Sequence, residues 1–417
     1  MNNLKKLFVP YKNLPMSVYI IFFASIINNL GNFVAPFLTM FLTYSIGMNV
    51  GVVGVIVAVN SFVGLIASAH GGKLIDVIGR KKIFIIFRTT SAIAILLCAF
   101  TKDPIILTTL LILSNFLGGY SLPVYSTIIT DITEGEQRKT AFSLQYMALN
   151  IGFSVGPLLA GFLYNNYLVW LFLGDALTTF ISVILVAFFI PETMPSKDEI
   201  QKLKVNKLEK AEEGTLLQAL IKRPTLLLFS FIIVIYFIVF SQFNFGLSLQ
   251  IGEVFGEKSA TIFGSLMTVN AVMCSIIPMF LTAVTEKLNS SLSIAVGGIF
   301  YATGFGMMFF INGYPLFILS TMIWTIGEIL ISTNTNVYIA EHTPASHRGR
   351  FNSIFPIIRK LGFMVGPIIA GLYVKYTSIR NLWLFIGGIS ILAAILMYRL
   401  CLIDSKKEEV GQIAIEE

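Results

Sequence analysis

Apolar stretches of about twenty residues, long enough to cross the ~30 Å hydrocarbon layer as a helix, recur along this chain and narrow its fold more than any other feature. They fall at about 16–43, 50–70, 83–101, 104–130, 140–165 and 168–190, then at about 224–250, 259–284, 291–312, 314–339, 350–374 and 379–402. A bilayer interior offers the backbone no hydrogen-bond partners, so only helices or closed barrels span it, and these runs exceed the length of a barrel strand. The expected fold is an all-α integral membrane protein with twelve transmembrane helices in two six-helix halves. The expected organisation is an N-terminal half 1–191, a linker 192–223 rich in charge (Lys197-Asp198-Glu199, then Lys207 to Glu213), and a C-terminal half 224–417 ending in a short tail.

Composition agrees: 56% of residues are hydrophobic and 12% charged, against about 25% charged in soluble proteins. The formal charge of +7 does not point to nucleic acid, because the basic residues sit in short connections between apolar runs. Lys73, Arg80, Lys81, Lys82 and Arg88 flank the second connection, Arg138 and Lys139 the fourth, and seven basic residues lie between 197 and 223; Arg348 and Arg350 mark the tenth, and Lys406 and Lys407 follow the last span. Positively charged short loops stay in the cytoplasm, so both termini are expected inside a cell membrane. The first span, with Asn28, Asn29 and Asn32, is too long and polar for a cleaved signal. Cys98, Cys274 and Cys401 suit packing, and His70, His342 and His347 form no metal-ligand set. There is no Gly-x4-Gly-Lys-Ser/Thr loop, no convergent catalytic cluster, and hence no expected cofactor, metal or enzymatic role.

The two halves repeat one another. Asn150-Ile-Gly-Phe-Ser-Val-Gly-Pro-Leu-Leu-Ala-Gly161 matches Lys360-Leu-Gly-Phe-Met-Val-Gly-Pro-Ile-Ile-Ala-Gly371, and upstream Asp131, Thr133 and Arg138 align without gaps with Glu341, Thr343 and Arg348. Between spans two and three stands Gly72-Lys73-Leu74-Ile75-Asp76-Val77-Ile78-Gly79-Arg80-Lys81-Lys82. This loop resembles that of the major facilitator superfamily: Gly, then Asp, then Gly-Arg-Lys. Gly72 and Gly79 suit a tight connection and close helix approach, and Asp76 and Arg80 suit charge-assisted hydrogen bonds between halves. In that family a carboxylate at the end of span four, here Asp131, completes a charge relay with the loop. The Gly152, Gly156, Pro157 and Gly161 run resembles the family's antiporter motif, with Ala160 where glycine is common. A plain packing face is the alternative, since Gly362, Gly366, Pro367 and Gly371 repeat it in span eleven. The resemblance implies alternating access of two halves around a midplane site.

Charges inside the bilayer are costly, so each is a functional candidate. Glu328, in Trp324-Thr325-Ile326-Gly327-Glu328-Ile329, lies near the midplane of span ten, and a Gly-Glu pair there resembles the drug–proton antiporter branch. A carboxyl withdrawn from water is the kind of group that loads and releases protons near neutral pH. Arg359 and Lys360 lie at similar depth on span eleven. Three readings stay open: proton coupling through Glu328, a fixed Glu328–Arg359 pair, and an anionic ligand on Arg359 or Lys360. Asp175, closer to the outer end of span six, reads as a snorkelling or interfacial acid. Amides in lipid-embedded helices face other helices or a wet cavity, making Asn28, Asn32, Asn115, Gln145, Gln242, Asn244 and Asn334 cavity candidates. With 36 Phe, an aromatic cavity suits amphipathic ligands. The expected function is proton-coupled efflux of amphipathic small molecules by a monomer in a lipid bilayer, with a carrier of a lipid or another anionic metabolite as the alternative.

Overall fold

The structure is a computed structural model that describes residues 14–194, 224–285, 288–342 and 348–416. The N-terminal Lys5, Lys6 and Lys12, the charged linker from 195 to 223, and Thr343 and His347 lie outside the described residues. Among the described residues the secondary structure is helical, without strands. Ten helical stretches are long and apolar enough to cross a membrane. One of them, Pro224–Pro278, is 55 residues long and holds spans seven and eight, divided at Gly256–Lys258. The Arg80–Cys98 helix stands outside that set because Arg80, Lys81, Lys82 and Arg88 load it with charge; it is span three. The twelve passes read from the sequence are thus accommodated.

Two compact units emerge. The first comprises Met1–Gly47, Val59–Leu208 and Phe255–Ala271. Its core joins Ile21 and Ala24 of span one, Ile83 and Phe84 of span three, Ile128 and Ile129 of span four, Ala141 and Leu144 of span five, and Val186 of span six. Span one is broken. Met16–Leu30 stops at Gly31, and a new helix, Val34–Met40, begins after Phe33 before passing into a π turn at Phe41–Ser45. Gly31 lies hard against Thr178, with no room for a side chain. Pro36 falls in the first turn of the new helix, where the missing N–H has no intrahelical partner to lose.

The second unit comprises Met48–Ala58, Glu209–Val254 and Val272–Glu417. Its core is aromatic. Phe305 stacks between Trp324 (5.4 Å) and Trp383 (5.9 Å), and Phe229 stacks on Tyr338 at 4.0 Å. Each of these side chains is at most 2% exposed, so ring stacking adds to the area they remove from lipid or water.

The repeated Gly-Pro run has the same structural use in both units. Gly152 and Gly156 lie on Asn29 and Leu30 of span one, while Pro157 and Gly161 meet Gly264 and Ala260 of the Ser259–Thr285 helix. In the second unit Gly362 and Gly366 lie on Phe237, Ile238 and Ser241 of span seven, while Pro367 and Gly371 meet Val50, Gly51 and Gly54 of the Val50–Ile78 helix. A methyl on Gly161 would stand 2.5 Å from the Ala260 carbonyl oxygen. These backbone-to-backbone contacts place Phe255–Ala271 in the first unit and Met48–Ala58 in the second.

Candidate functional site

The loop after span two builds a polar cluster inside the first unit. Gly79 caps the Arg80–Cys98 helix at φ 113°, a conformation open to glycine alone. This turn aims the first N–H groups of span three at Glu192, from the end of span six. Arg80 N donates to Glu192 Oε1 at 2.8 Å and Lys81 N to Oε2 at 3.2 Å, a carboxylate on a helix N-terminus. The Arg80 side chain is 7% exposed. It donates through Nε to Asp131 at 3.0 Å, through Nη1 to the Ile75 carbonyl at 3.0 Å, and pairs through Nη2 with Asp76 at 3.2 Å. Thr193 Oγ1 donates to the same Asp131 oxygen at 3.0 Å.

Asp76, Gly79, Arg80 and Asp131 therefore converge. Among the described residues the partners of Arg80 belong to one unit, so the bonds expected between halves lie within the first. Gly72 differs from expectation too. The Val50–Ile78 helix runs through it and a methyl there would meet nothing within 4 Å; Gly71 makes the close approach, on Tyr120. Glu192 carries no motif that singles it out, although Pro191-Glu192-Thr193 directly after an apolar run is its signal.

A cavity of about 350 Å³ opens inside the same unit. Asn28, Asn32 and Asn115 line it. So do Arg88 and Asp175, for which the sequence suggests other places. Arg88 is no loop-flanking charge: it lies within span three, and its guanidinium donates to Asn28 Oδ1, while Asn28 Nδ2 donates to Thr179 Oγ1 at 3.2 Å. Nor does Asp175 snorkel. Its Oδ2 accepts the main-chain N–H groups of Phe33 at 3.2 Å and Val34 at 3.1 Å, which are orphan donors at the restart of span one. Asn115 Nδ2 donates to the Asn60 carbonyl at 2.6 Å. Gln145 ties two helices together, exchanging bonds with Ser25 at 2.8 and 3.2 Å.

In the second unit Glu328 faces Cys274, whose Sγ donates to Oε2 at 3.6 Å. Gly327 lets span ten lie against span nine, a methyl there falling 2.7 Å from the Gly297 carbonyl oxygen. Tyr301 and Arg359 lie within electrostatic range of Glu328. Arg359 itself is exposed, with its guanidinium carbon 4.8 Å from the centroid of Phe237. Lys360 is half-buried. Tyr301, Phe240, Phe243 and Trp324 continue the aromatic wall, with Phe240 stacked on Phe243 at 4.7 Å. Gln242 is fully buried and donates to the Ile238 carbonyl at 3.2 Å, Asn334 donates to the Leu330 carbonyl at 2.9 Å, and Asn244 is half-buried. Sequence alone suggests only packing for Cys274; its place opposite an acid is hidden by the separation of 54 positions along the chain.

Where span nine begins and span ten ends, this unit carries a second polar cluster. Ser290, the first helical residue of span nine as Arg80 is of span three, donates to Glu341 Oε2 at 2.7 Å, and Glu341 is the repeat counterpart of Asp131. His342 sets Nε2 3.4 Å from Asp404 and Nδ1 3.0 Å from the Tyr338 carbonyl, and its ring stacks on Tyr338. Burial works against the charged ring. The hydrogen bonds to Asp404 and Tyr338, with the charges of Asp404 and Glu341, outweigh it and hold the His342 pKa above its ordinary value.

A family model described as Major Facilitator Superfamily matches residues 21–258 and 240–417. Among curated relatives, a Na(+), Li(+), K(+)/H(+) antiporter of Planococcus maritimus is 21% identical over 358 residues, covering 80% of this chain and 84% of the relative. The uncharacterised MFS-type transporter YttB of Bacillus subtilis is 23% identical over 372 residues, covering 88% and 91%. In solved structures, a POT family transporter in complex with 5-aminolevulinic acid superposes with a TM-score of 0.76 at 14% identity (92% and 96% covered), and the nucleoside transporter NupG with 0.71 at 17% (93% and 99% covered). At such identities the structures speak for the fold alone. The loop cluster, the repeated Gly-Pro helices and the family match over nearly the whole length agree: this chain belongs to the Major Facilitator Superfamily and is a multi-pass membrane transporter of small molecules, not an enzyme.

Proposed function

We propose that this transporter exports amphipathic small molecules across the cell membrane in exchange for protons, with Glu328 as the proton-carrying group. The observation that carries the reading is the setting of Glu328: an acid on span ten, half-buried, opposite the Cys274 thiol and within electrostatic range of Tyr301, whose ring stacks on Phe240. A carboxyl placed there binds a proton or a cationic ligand in turn, which is the exchange an antiporter needs. Aromatic faces receive flat, weakly polar or cationic solutes. A relative named for cation/proton antiport supports exchange over uniport. Asp76, Arg80 and Asp131 act in this reading as the gating set, and Gly152, Gly156, Pro157 and Gly161 as the helix-five element on which the exchange turns.

The contacts of Arg80 with Glu192, at the end of span six, and with Asp131, at the end of span four, support one shared face for the second, fourth and sixth connections. With their basic residues, that face is the cytoplasmic one, and both termini share it. The protein works as a monomer.

Reconstituted into liposomes under an imposed pH gradient, the wild type moves an amphipathic cation such as ethidium, and Glu328→Gln cuts that flux by about tenfold or more. Undiminished pH-driven flux in Glu328→Gln removes the assignment. Exposed Arg359 on its Phe237 platform favours a second reading, an anionic metabolite held there; in that case Arg359→Ala, and not Glu328→Gln, abolishes transport.

A further inference from the structure

The cavity of the first unit is lined in strict helical register. Arg88, Ser91, Ala92 and Ile95 present one face of span three to it, and Leu111, Ser114, Asn115 and Gly118 one face of span four. Most polar groups on these walls are satisfied by one another: Ser91 Oγ and Ser114 Oγ each donate to the other residue's carbonyl, at 2.8 and 3.0 Å. Two are not. A guanidinium carries five N–H donors in a planar fork, and among the described residues the acceptor that meets Arg88 is the Asn28 amide. Asp175 is within electrostatic range of Arg88, but its Oδ2 is held by Phe33 and Val34, and among the described residues no carboxylate comes within 4.0 Å of the guanidinium. On the opposite requirement, Asn60 Oδ1 is buried and, among the described residues, has no hydrogen-bond partner. The backbone leaves room at the fork: at Gly118 a methyl would sit 3.4 Å from Arg88 Nη1, so any larger residue would crowd that nitrogen.

Spare donors on a cation and an orphan acceptor on one wall describe the ligand by complement. A planar oxyanion answers the guanidinium in two parallel bonds, and a hydroxyl or ammonium group answers Asn60 Oδ1. At about 350 Å³ the space is at the small end of ligand pockets. We infer that the cavity between spans one, two, three, four and six is a binding site for a small hydroxy- or amino-carboxylate, with Arg88 holding the carboxylate and Asn60, on span two, accepting from the neighbouring hydroxyl or amine. The site lies within one unit, is built from residues other than Glu328, Arg359 and Lys360, and stands independently of the proton exchange proposed above.

The test uses the full-length protein purified in detergent micelles, with lactate, alanine and propionate as probes and sodium chloride at matched ionic strength as the reference. Thermal unfolding is followed as each probe is titrated, since a ligand that binds the folded state raises the midpoint in a saturable way. Lactate or alanine raises the midpoint saturably, and propionate, which lacks the second donor, does so more weakly. Arg88→Gln weakens the apparent affinity by about tenfold or more, and Arg88→Lys, which keeps the charge and loses the fork, by a smaller factor. Asn60→Ala brings lactate and propionate to the same affinity. The inference is overturned if no probe exceeds the chloride reference, or if the response survives undiminished in the Arg88 variants. Should Arg88→Gln fail to fold, Arg88→Lys and Asn60→Ala decide it alone, and an unchanged response in both overturns it. No gradient or turnover enters the measurement, so its failure leaves the role of Glu328 untouched, and a null result with Glu328→Gln leaves this site untouched.

Discussion

Gly79 and Gly72 stand seven positions apart in the same loop motif and have opposite structural meanings. Gly79 holds φ 113° with the Glu192 carboxylate where a side chain would go, a methyl falling 2.5 Å from Oε2. Gly79→Ala should cost about 1–3 kcal/mol from the backbone conformation alone, with further loss as Glu192 leaves the helix N-terminus. Gly72 is an ordinary helical residue with open space beside it, and Gly72→Ala should raise stability by about 0.5–1 kcal/mol. Unfolding midpoints of the two variants check both signs; a destabilised Gly72→Ala would mean that this position is constrained by something other than this packing. The motif shows that glycine is wanted at both places. It does not show which of the two the backbone demands, because the carboxylate that occupies the side-chain space at Gly79 comes from Glu192, far along the chain. Arg88 is hard to place from sequence for a similar reason. It follows Arg80, Lys81 and Lys82 so closely that it reads as one of them, yet eight residues of helix carry it about 12 Å along the axis, into the cavity.

At the scale of the helix, the Gly-Pro run is legible as a repeat and ambiguous as a function. The structure gives it a packing task in both units: the first two glycines seat a span on the opening helix of its half, and the proline and last glycine meet the backbone of the Val50–Ile78 or Ser259–Thr285 helix. Symmetry makes this testable. Gly54→Leu and Gly264→Leu insert side chains at equivalent crossings, against the carbonyls of Pro367 and Pro157. Each should destabilise by about 1–3 kcal/mol through overpacking and reduce transport, read by unfolding midpoint and by flux in liposomes. A variant that tolerates leucine at full activity would show that the crossing opens freely and is not a seat. The break in span one is not legible. Gly31 and Pro36 are five residues apart and either is tolerated inside a membrane helix; what fixes the break is Asp175, on another span.

For the whole molecule, stability should depend on pH through His342. Both of its ring nitrogens face acceptors, the Tyr338 carbonyl and Asp404, an arrangement that only the doubly protonated ring satisfies. Its pKa in the folded protein is raised above the ordinary 6.5. The stabilisation is therefore fully present below that ordinary value and is lost as pH rises through the folded-state pKa. The midpoint difference between wild type and His342→Gln should be larger near pH 6 than near pH 9; an equal difference at both would show that the ring contributes by packing alone. The sequence shows His342 at a helix end with no metal set around it, and nothing more. Its partner Asp404 lies 62 residues away, and the contact between spans ten and twelve that joins them is a property of the folded unit.

The acid that restarts span one grips two main-chain N–H groups, those of Phe33 and Val34, and no side chain of that span. Side-chain scanning along span one, however complete, would therefore pass over the bond without registering it. A proline at position 33 or 34, or the loss of Asp175 itself, is what a genetic screen would have to contain to find it.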